Sequence, residues 1–347
     1  MVEPVAPGPL LVDIAGTALT EADRVLLAEP AVGGVILFSR NYTSPEQLAE
    51  LTSAIRALRA DLLIVADYEG GRVQRFRDGL TPIPPMQALG RWFEQEPVAA
   101  RDAAVELAWL VAWELAGVGV DMPLSPVVDL DYGLSEVIGS RAFSADAAAV
   151  ATLGGAFAQT LATAGSAATA KHFPGHGYVA ADSHAELPVD DRSLDALKTD
   201  WAPFVDLIEQ DIASVMMAHV RYPAIDEAPA SLSSVWIEQI LRDRLGFTGC
   251  VFCDDLSMGG AAAYGDYAKR VDAALAAGCD YLPVCNDRDS ALIAVEAVNQ
   301  SNHDRGTTRR SALLDRIQRT RASACTDDQR QRLEAAREIA ARLMAAA

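Results

Sequence analysis

The sequence has little cysteine, few basic residues and no long hydrophobic segment. Its five cysteines, an odd number in a chain of 347 residues, argue against a disulfide framework. The 29 lysines and arginines are outnumbered by 48 aspartates and glutamates, and the formal net charge is −19. Such a surface repels phosphate backbones and anionic lipids. We therefore expect neither a nucleic acid nor a membrane as a partner.

No segment has the composition of a signal peptide or a membrane span. Residues 1–11 contain no lysine or arginine and are interrupted by three prolines. Residues 147–170 carry no charge, yet their larger apolar side chains recur every three or four residues, as on one buried face of a soluble helix. We expect a soluble, cytoplasmic protein.

Motifs for metals and nucleotides are also scarce. Cys250 and Cys253 form a Cys-x-x-Cys pair, but no second pair at zinc spacing follows, which favours buried structural thiols. Neither a Gly-x-Gly-x-x-Gly motif after an early strand nor a Gly-Lys-Ser/Thr loop occurs. We expect no cofactor and no metal.

Short apolar runs alternate with helical patterns about eight times along the chain. The runs resemble strands that are buried on both faces of a parallel sheet: Leu10–Ile14, Gly34–Phe38, Leu62–Ala66, Val118–Met122, Ala167–Ala170, Ala213–Ala218, Cys250–Cys253 and Tyr281–Val284. The helical patterns cover Thr20–Ala28, Ser44–Leu58, Pro97–Ala116, Ala145–Thr163, Ser193–Gln210, Ser233–Leu245, Tyr267–Ala277 and Thr326–Met344. Ser44-Pro45-Glu46-Gln47 has the sequence of a capping box with proline at the first helical position.

This alternation predicts an α/β fold, a single-domain (β/α)8 barrel of the TIM type. We expect it to occupy residues 1–347, with irregular first strands allowed and a C-terminal helical extension from about residue 306. A doubly wound open sheet is the alternative. In a barrel, chemistry follows the carboxyl ends of the strands. Polar residues follow five predicted strands there: Asp67-Tyr68-Glu69, Lys171-His172, His219, Asp254-Asp255 and Asn286.

The densest group of candidate residues contains three of the five histidines, His172, His176 and His184, within thirteen residues. A polar loop, a metal site and an acid–base site are the three interpretations. No His-Glu-x-x-His pair occurs, and Pro174 with two nearby glycines indicates an irregular loop, which disfavours a metal. Asp182 lies two residues before His184, where a carboxylate could hold one ring nitrogen and raise the basicity of the other. We favour acid–base chemistry.

Two further groups end apolar strands. Asp254 and Asp255 are neighbours, so only one of them faces the barrel axis, and Asp255 fits a helix cap. Asp67 and Glu69 offer acceptors for sugar-like hydroxyls, although carboxylates in this position often only pair with arginines. Forked donors for such a site come from the arginines of the same segment and of a later loop: Arg72, Arg75 and Arg141.

Four motifs occur in order: Asp-x-Glu-Gly-Gly-Arg-Val-Gln-Arg-Phe, Lys-His-Phe-Pro-Gly-His-Gly, Asp-Ser-His, and a strand that ends Asp-Asp-Leu-Ser-Met. From about Leu10 to Asn286 the chain resembles family 3 glycoside hydrolases, in the branch of bacterial β-N-acetylglucosaminidases of cell-wall recycling. The resemblance implies a retaining enzyme that removes non-reducing terminal GlcNAc from GlcNAc–anhydro-MurNAc peptides. Cys253 stands where serine is commoner in the family, and we expect this small residue to be tolerated.

The resemblance also implies individual roles. Asp254 matches the nucleophile, His184 the general acid/base, and Asp182 its partner in a dyad. Substrate contacts match five residues: Asp67, Arg75, Arg141, Lys171 and His172.

Other functions stay open on the residues alone. A β-glucosidase, or a phosphorylase that uses phosphate in place of water, fits the same barrel. A non-catalytic saccharide-binding protein and a metal-dependent hydrolase are the remaining alternatives. The expected partner is a small saccharide substrate. The oligomeric state is open, with a monomer as the expectation.

Overall fold

The computed structural model describes residues 7–183, 186–317 and 326–346. Eight short parallel strands are buried at its centre. They are β1 (Leu10–Val12), β2 (Val32–Leu37), β3 (Leu63–Ala66), β4 (Met122–Pro123), β5 (Thr169–Phe173), β6 (Ser214–Met217), β7 (Cys250–Phe252) and β8 (Leu282–Val284). Apart from Thr169, Lys171 and His172 in β5 and Ser214 in β6, their side chains are apolar on both faces, so most strands are continuous hydrophobic runs in the sequence and not alternating patterns.

Consecutive strands are neighbours throughout the sheet order. One sheet runs β8-β1-β2-β3-β4 and the other β7-β6-β5. Isolated parallel bridges, Val127 to Lys171 and Phe252 to Tyr281, join the edges of the two sheets. This order is that of the predicted α/β TIM-like barrel, with the regular ladder interrupted at two seams, and not that of a doubly wound sheet.

Helices surround the strands. They are α1 (Glu21–Ala28), α2 (Pro45–Leu58), α3 (Met86–Phe93), α4 (Pro97–Gly117), α5 (Ala147–Thr163), α6 (Leu194–Glu209), α7 (Gly259–Ala262), α8 (Tyr267–Ala277), α9 (Arg288–Gln300), α10 (Thr307–Arg316) and α11 (Asp327–Ala346). A π-helical segment covers Val235–Arg244. Two antiparallel hairpins pair Tyr68–Gly70 with Val73–Gln74 and Arg221–Tyr222 with Asp226–Pro229. None of the helices in the described ranges is long and apolar enough to cross a membrane.

Two strands lie later in the chain than the sequence predicts. Residues 118–121 form the turn after α4, because Gly119 has a φ of +76° and Thr52 Oγ1 donates to the Val118 carbonyl at 2.8 Å. The fourth strand therefore begins at Met122 instead of Val118. The fifth strand begins at Thr169 and includes Lys171 and His172, which the sequence places after its end.

The start of α2 corrects a detail of the prediction. Ser44 Oγ accepts from the Gln47 amide at 3.2 Å, as a capping residue should. The Gln47 side chain, however, accepts from the Thr43 amide at 2.8 Å and not from that of Ser44. This helix start therefore has the serine cap but lacks the second bond of a capping box, from the Ser44 amide to the Gln47 side chain.

The C-terminal helix α11 packs on the outside of the barrel. Leu333 and Leu343 are buried, and Arg332 pairs with Glu106 of α4 at 2.8 Å. The extent of the domain over residues 1–347 stays a prediction. The four cysteines in the described ranges, Cys250, Cys253, Cys279 and Cys285, are buried free thiols, which agrees with the structural interpretation of the Cys-x-x-Cys pair.

Candidate active site

A cavity of about 460 Å³ lies at the carboxyl ends of the strands. Its walls bring together six of the residues singled out in the sequence: Asp67, Arg75, Arg141, Lys171, His172 and Asp254. Glu69, Arg72, His176, Ser183, Asp255 and Asn286 line it as well. These residues follow or end five different strands, which is the distribution expected for a barrel enzyme.

Lys171 is the centre of an ion cluster in one wall of the cavity. Its Nζ lies 3.1 Å from Asp67 Oδ1 and 2.6 Å from Glu69 Oε1, and only 2% of its side chain is exposed. Arg75 Nη2 holds the other oxygen of Asp67 at 2.6 Å. Arg141 contacts Glu69 with two parallel bonds of 2.7 and 2.9 Å. The cluster thus fixes two carboxylates with three cations.

The cluster keeps both carboxylates ionised. Burial by itself raises the pKa of Asp67, but the charges of Lys171 and Arg75 outweigh it and hold that pKa well below its usual range. Burial likewise opposes ionisation of Glu69, and the charges of Arg141 and Lys171 lower its pKa to about 2. Neither group can donate a proton near neutral pH. Asp67 has 19% of its side chain exposed against 1% for Glu69, so Asp67 is the carboxylate within reach of a ligand.

Asp129 is a buried organising residue that the sequence analysis missed. Its carboxylate accepts from the ring of His172 at Nδ1 (2.7 Å) and from the backbone amides of His172 and His176. With Nδ1 donating, Nε2 of His172 is left to accept from Arg141 Nη2 at 3.5 Å. Asp129 ends the apolar run Pro126-Val127-Val128, a signal that went unused because the fourth strand was predicted at Val118–Met122.

The two neighbouring acids after β7 have different surroundings. Asp254 lines the cavity, and its Oδ1 accepts from the Asp255 amide at 2.9 Å. Asp255 Oδ1 accepts from the amides of Ser257 at 2.9 Å and Cys285 at 3.3 Å, so it caps a turn and not, as predicted, a helix, because α7 begins only at Gly259 with Met258 as its N-cap. Burial raises the pKa of Asp255 to about 6. Of the pair, Asp254 is therefore the better nucleophile candidate.

His219 is a support for this loop. Its Nε2 lies 3.0 Å from the Asp255 carbonyl oxygen, and its Nδ1 lies 2.6 Å from Ser231 Oγ. The side chain is fully buried, and burial lowers its pKa. A neutral ring held on both nitrogens fits a structural role beneath Asp254 and Asp255.

The proposed dyad is only partly within the described residues. Asp182 is exposed, does not line the cavity, and lies close enough to Arg72 for its charge to act on that guanidinium. His184 lies outside the described residues, so the pairing of Asp182 with His184 stays a prediction. Ser183, between them, is buried and lines the cavity. Across the described ranges, no group of three His, Cys, Asp or Glu side chains is placed to hold a metal ion.

Comparison with known proteins identifies the class of enzyme. The model of the glycosyl hydrolase family 3 N-terminal domain matches residues 10–320, and the chain belongs to this family. The beta-hexosaminidase of Bordetella parapertussis is 54% identical to it, with 82% of each chain covered. The beta-hexosaminidase of Thiobacillus denitrificans is also 54% identical, with 82% of this chain and 80% of the relative covered. The resemblance seen in the sequence motifs is thereby confirmed.

Solved structures narrow the activity. NagZ from Neisseria gonorrhoeae in complex with N-trifluoroacetyl-D-glucosamine has a TM-score of 0.86 and 39% identity, with 98% of both chains covered. A family 3 β-N-acetylglucosaminidase from Paenibacillus has the same TM-score and 32% identity, covering 98% of this chain and 69% of that one. The protein is a glycoside hydrolase of the β-N-acetylhexosaminidase type, and its substrate is a small saccharide that contains GlcNAc.

Proposed function

We propose that the enzyme is a retaining exo-β-N-acetylglucosaminidase that removes non-reducing terminal GlcNAc from GlcNAc–anhydro-MurNAc peptides in peptidoglycan recycling. The observation that carries this proposal is the placement of Asp254 in one cavity with the ion cluster of Asp67, Arg75, Lys171, Glu69 and Arg141. A cavity of about 460 Å³ suits a sugar at the end of a chain better than the middle of a long polymer. The buried free thiols support action in a reducing compartment such as the cytoplasm.

In the first step, an Asp254 carboxylate oxygen attacks the anomeric carbon and the glycosidic C–O bond breaks. His184, as imidazolium, gives its proton to the departing oxygen, and Asp182 orients the ring. The anomeric centre inverts once, and a glycosyl ester on Asp254 results. An imidazole in place of the usual second carboxylic acid is suited to this transfer near neutral pH.

In the second step, neutral His184 takes a proton from water, and the water oxygen displaces Asp254 from the anomeric carbon. This second inversion restores the β configuration of the product. The ion cluster acts in both steps. Asp67 and Nε2 of His172 accept from sugar hydroxyls, while Lys171, Arg75 and Arg141 supply donors in fixed positions, so the sugar is held in one orientation for attack by Asp254.

The substrate assignment is tested with purified GlcNAc–anhydro-MurNAc peptide, intact chitin oligomers and the 4-nitrophenyl glycosides of GlcNAc and glucose. We expect release of GlcNAc from the muropeptide and turnover of the N-acetyl glycoside only, both unaffected by EDTA. Free GlcNAc as product in phosphate buffer indicates hydrolysis, whereas GlcNAc 1-phosphate would make the enzyme a phosphorylase. Cleavage of the glucoside in preference would overturn the cell-wall assignment, and chelator-sensitive turnover would favour a metal enzyme.

The role of His184 is tested by His184→Ala. Loss of a general acid costs about 10²- to 10⁴-fold when the leaving group needs a proton. We therefore expect kcat/KM to fall by that factor for phenyl N-acetyl-β-glucosaminide and to stay within a few-fold of wild type for the 2,4-dinitrophenyl glycoside. Azide should intercept the glycosyl ester and give the β-azide. Equal losses with both aglycones would contradict the acid/base role.

A further inference from the structure

Ser183, the residue before His184, is held by two loops that both belong to the active site. Its Oγ lies 2.9 Å from Nε2 of His176, in the loop after β5. Its backbone carbonyl accepts at 2.9 Å from the amide of Gly260, which lies in the short helix α7 within the connection after β7. Ser183 is only 2% exposed. Ser183 is therefore fixed where these two loops meet.

His176 is itself fixed by the core of the site. Its amide donates to Asp129 Oδ1 at 2.8 Å, and its ring packs edge-on against that of His172 at 5.9 Å between centroids. Burial lowers the pKa of His176 to about 4. A histidine that stays neutral at physiological pH is not a second proton donor. The role left for the His176 ring is therefore the hydrogen bond between its Nε2 and Ser183 Oγ.

Gly260 makes the other contact possible. A Cβ at this position would lie 2.9 Å from the Cβ of His219 and 3.2 Å from the Ser183 carbonyl oxygen, so only glycine fits without displacement. His219 in turn contacts the Asp255 carbonyl, next to Asp254. The backbone of Ser183 is thus tied to the loop that bears the nucleophile.

We propose that His176 and Ser183 form a positioning pair that sets where the Asp182–His184 segment stands relative to Asp254. The proposal rests on the proposed role of His184 as acid/base. It assigns a function to the second histidine of the Lys-His-Phe-Pro-Gly-His-Gly motif and to the serine of Asp-Ser-His. Both residues act through His184, not on the sugar.

The test compares Ser183→Ala, His176→Ala and the double variant with two substrates, the phenyl and the 2,4-dinitrophenyl N-acetyl-β-glucosaminides. Misplacing a catalytic group by about 1 Å costs up to roughly 100-fold. We expect each single variant to lose about 10- to 100-fold in kcat/KM on the phenyl substrate and less than about 3-fold on the dinitrophenyl substrate. Because the two residues act through one bond, the double variant should lose no more than the larger single loss.

Two further variants separate positioning from general damage. His176→Gln places an amide nitrogen where Nε2 stands, and it should recover most of the activity on the phenyl substrate. Ser166→Ala removes another buried serine, whose Oγ donates to the Asp121 carbonyl at 2.9 Å just before β5, at the opposite end of that strand from Lys171. It should change Tm as much as Ser183→Ala does and leave the ratio of the two substrates unchanged.

The possible failures are distinguishable. Equal losses on both substrates in Ser183→Ala, or additive losses in the double variant, would overturn the positioning pair. If His184→Ala discriminates between the aglycones and Ser183→Ala does not, only the positioning pair is wrong. If His184→Ala itself does not discriminate, the proposed acid/base role is wrong and the positioning pair fails with it.

Discussion

Asp254→Asn is expected to lower kcat/KM by roughly 10⁴-fold or more, with every aglycone. An amide oxygen is a poor nucleophile, and no improvement of the leaving group replaces the missing covalent step. This uniform loss differs from the selective loss expected for His184→Ala. The measurement is the initial rate with the phenyl and 2,4-dinitrophenyl N-acetyl-β-glucosaminides, together with binding of GlcNAc by calorimetry to show that the site is intact.

Asp255→Asn is the matched control. Asp255 lies next to Asp254, but its Oδ1 is engaged by the amides of Ser257 and Cys285, and burial raises its pKa to about 6. An amide at this position resembles the protonated acid, so we expect a loss of less than about 10-fold. The reverse order of effects would show that the nucleophile is Asp255.

Azide supplied to Asp254→Ala should give the α-azide, since the anomeric centre then inverts only once.

The fold was predictable because its strands are short, apolar and regularly spaced. The errors occur where a local constraint overrides the apolar pattern. Val118 and Val120 look like part of a strand, yet the left-handed backbone of Gly119 against Thr52 makes this segment a turn. The same error explains why Asp129 was not predicted as a site residue. With the fourth strand beginning at Met122 and a parallel bridge at Val127, Asp129 follows the strand end in the way that the other site residues do.

The site was predictable as a set of residues but not as a set of contacts. Asp67, Lys171 and Asp254 follow or end strands, and a barrel brings such positions to one face. Which cation holds which carboxylate depends on distances across the barrel. Glu69 and Arg141 are 72 residues apart, and Asp67 and Lys171 are 104 apart. The sequence pattern therefore did not show that Glu69 and Asp67 share Lys171, with Glu69 the more buried of the two.

Lys171→Met is expected to cause the largest loss of stability among variants of the site. Lys171 is buried between two carboxylates, and Met removes its charge while keeping a side chain of similar length. Glu69 keeps Arg141 and Asp67 keeps Arg75, but each loses one of its two cations. Removing one partner from a buried ion cluster costs about 3–5 kcal/mol of unfolding free energy. Activity should fall as well, because Asp67 loses the ion pair with Lys171 that fixes one of its oxygens.

Arg75→Met is the control for this effect. Arg75 is 31% exposed and pairs with only one of the two carboxylates, so solvent screens its charge. We expect it to cost no more than about 1 kcal/mol, as partly exposed ion pairs usually do. A similar cost for both variants would show that burial of Lys171 is not what makes the cluster important for stability.

The pH dependence of the loss tests its electrostatic origin. In the native protein the pKa values of Asp67 and Glu69 lie below their usual values of 3.8 and 4.5. The ionised cluster therefore stabilises the fold at a pH above these usual values. This contribution is lost as the pH falls through the folded-state pKa values. In Lys171→Met both pKa values rise, and protonation relieves the buried charges at a higher pH. Urea unfolding at pH 7 and at pH 4 should therefore show the difference between wild type and variant shrinking toward acid. A difference that stays constant with pH would mean that Met disturbs packing rather than charge.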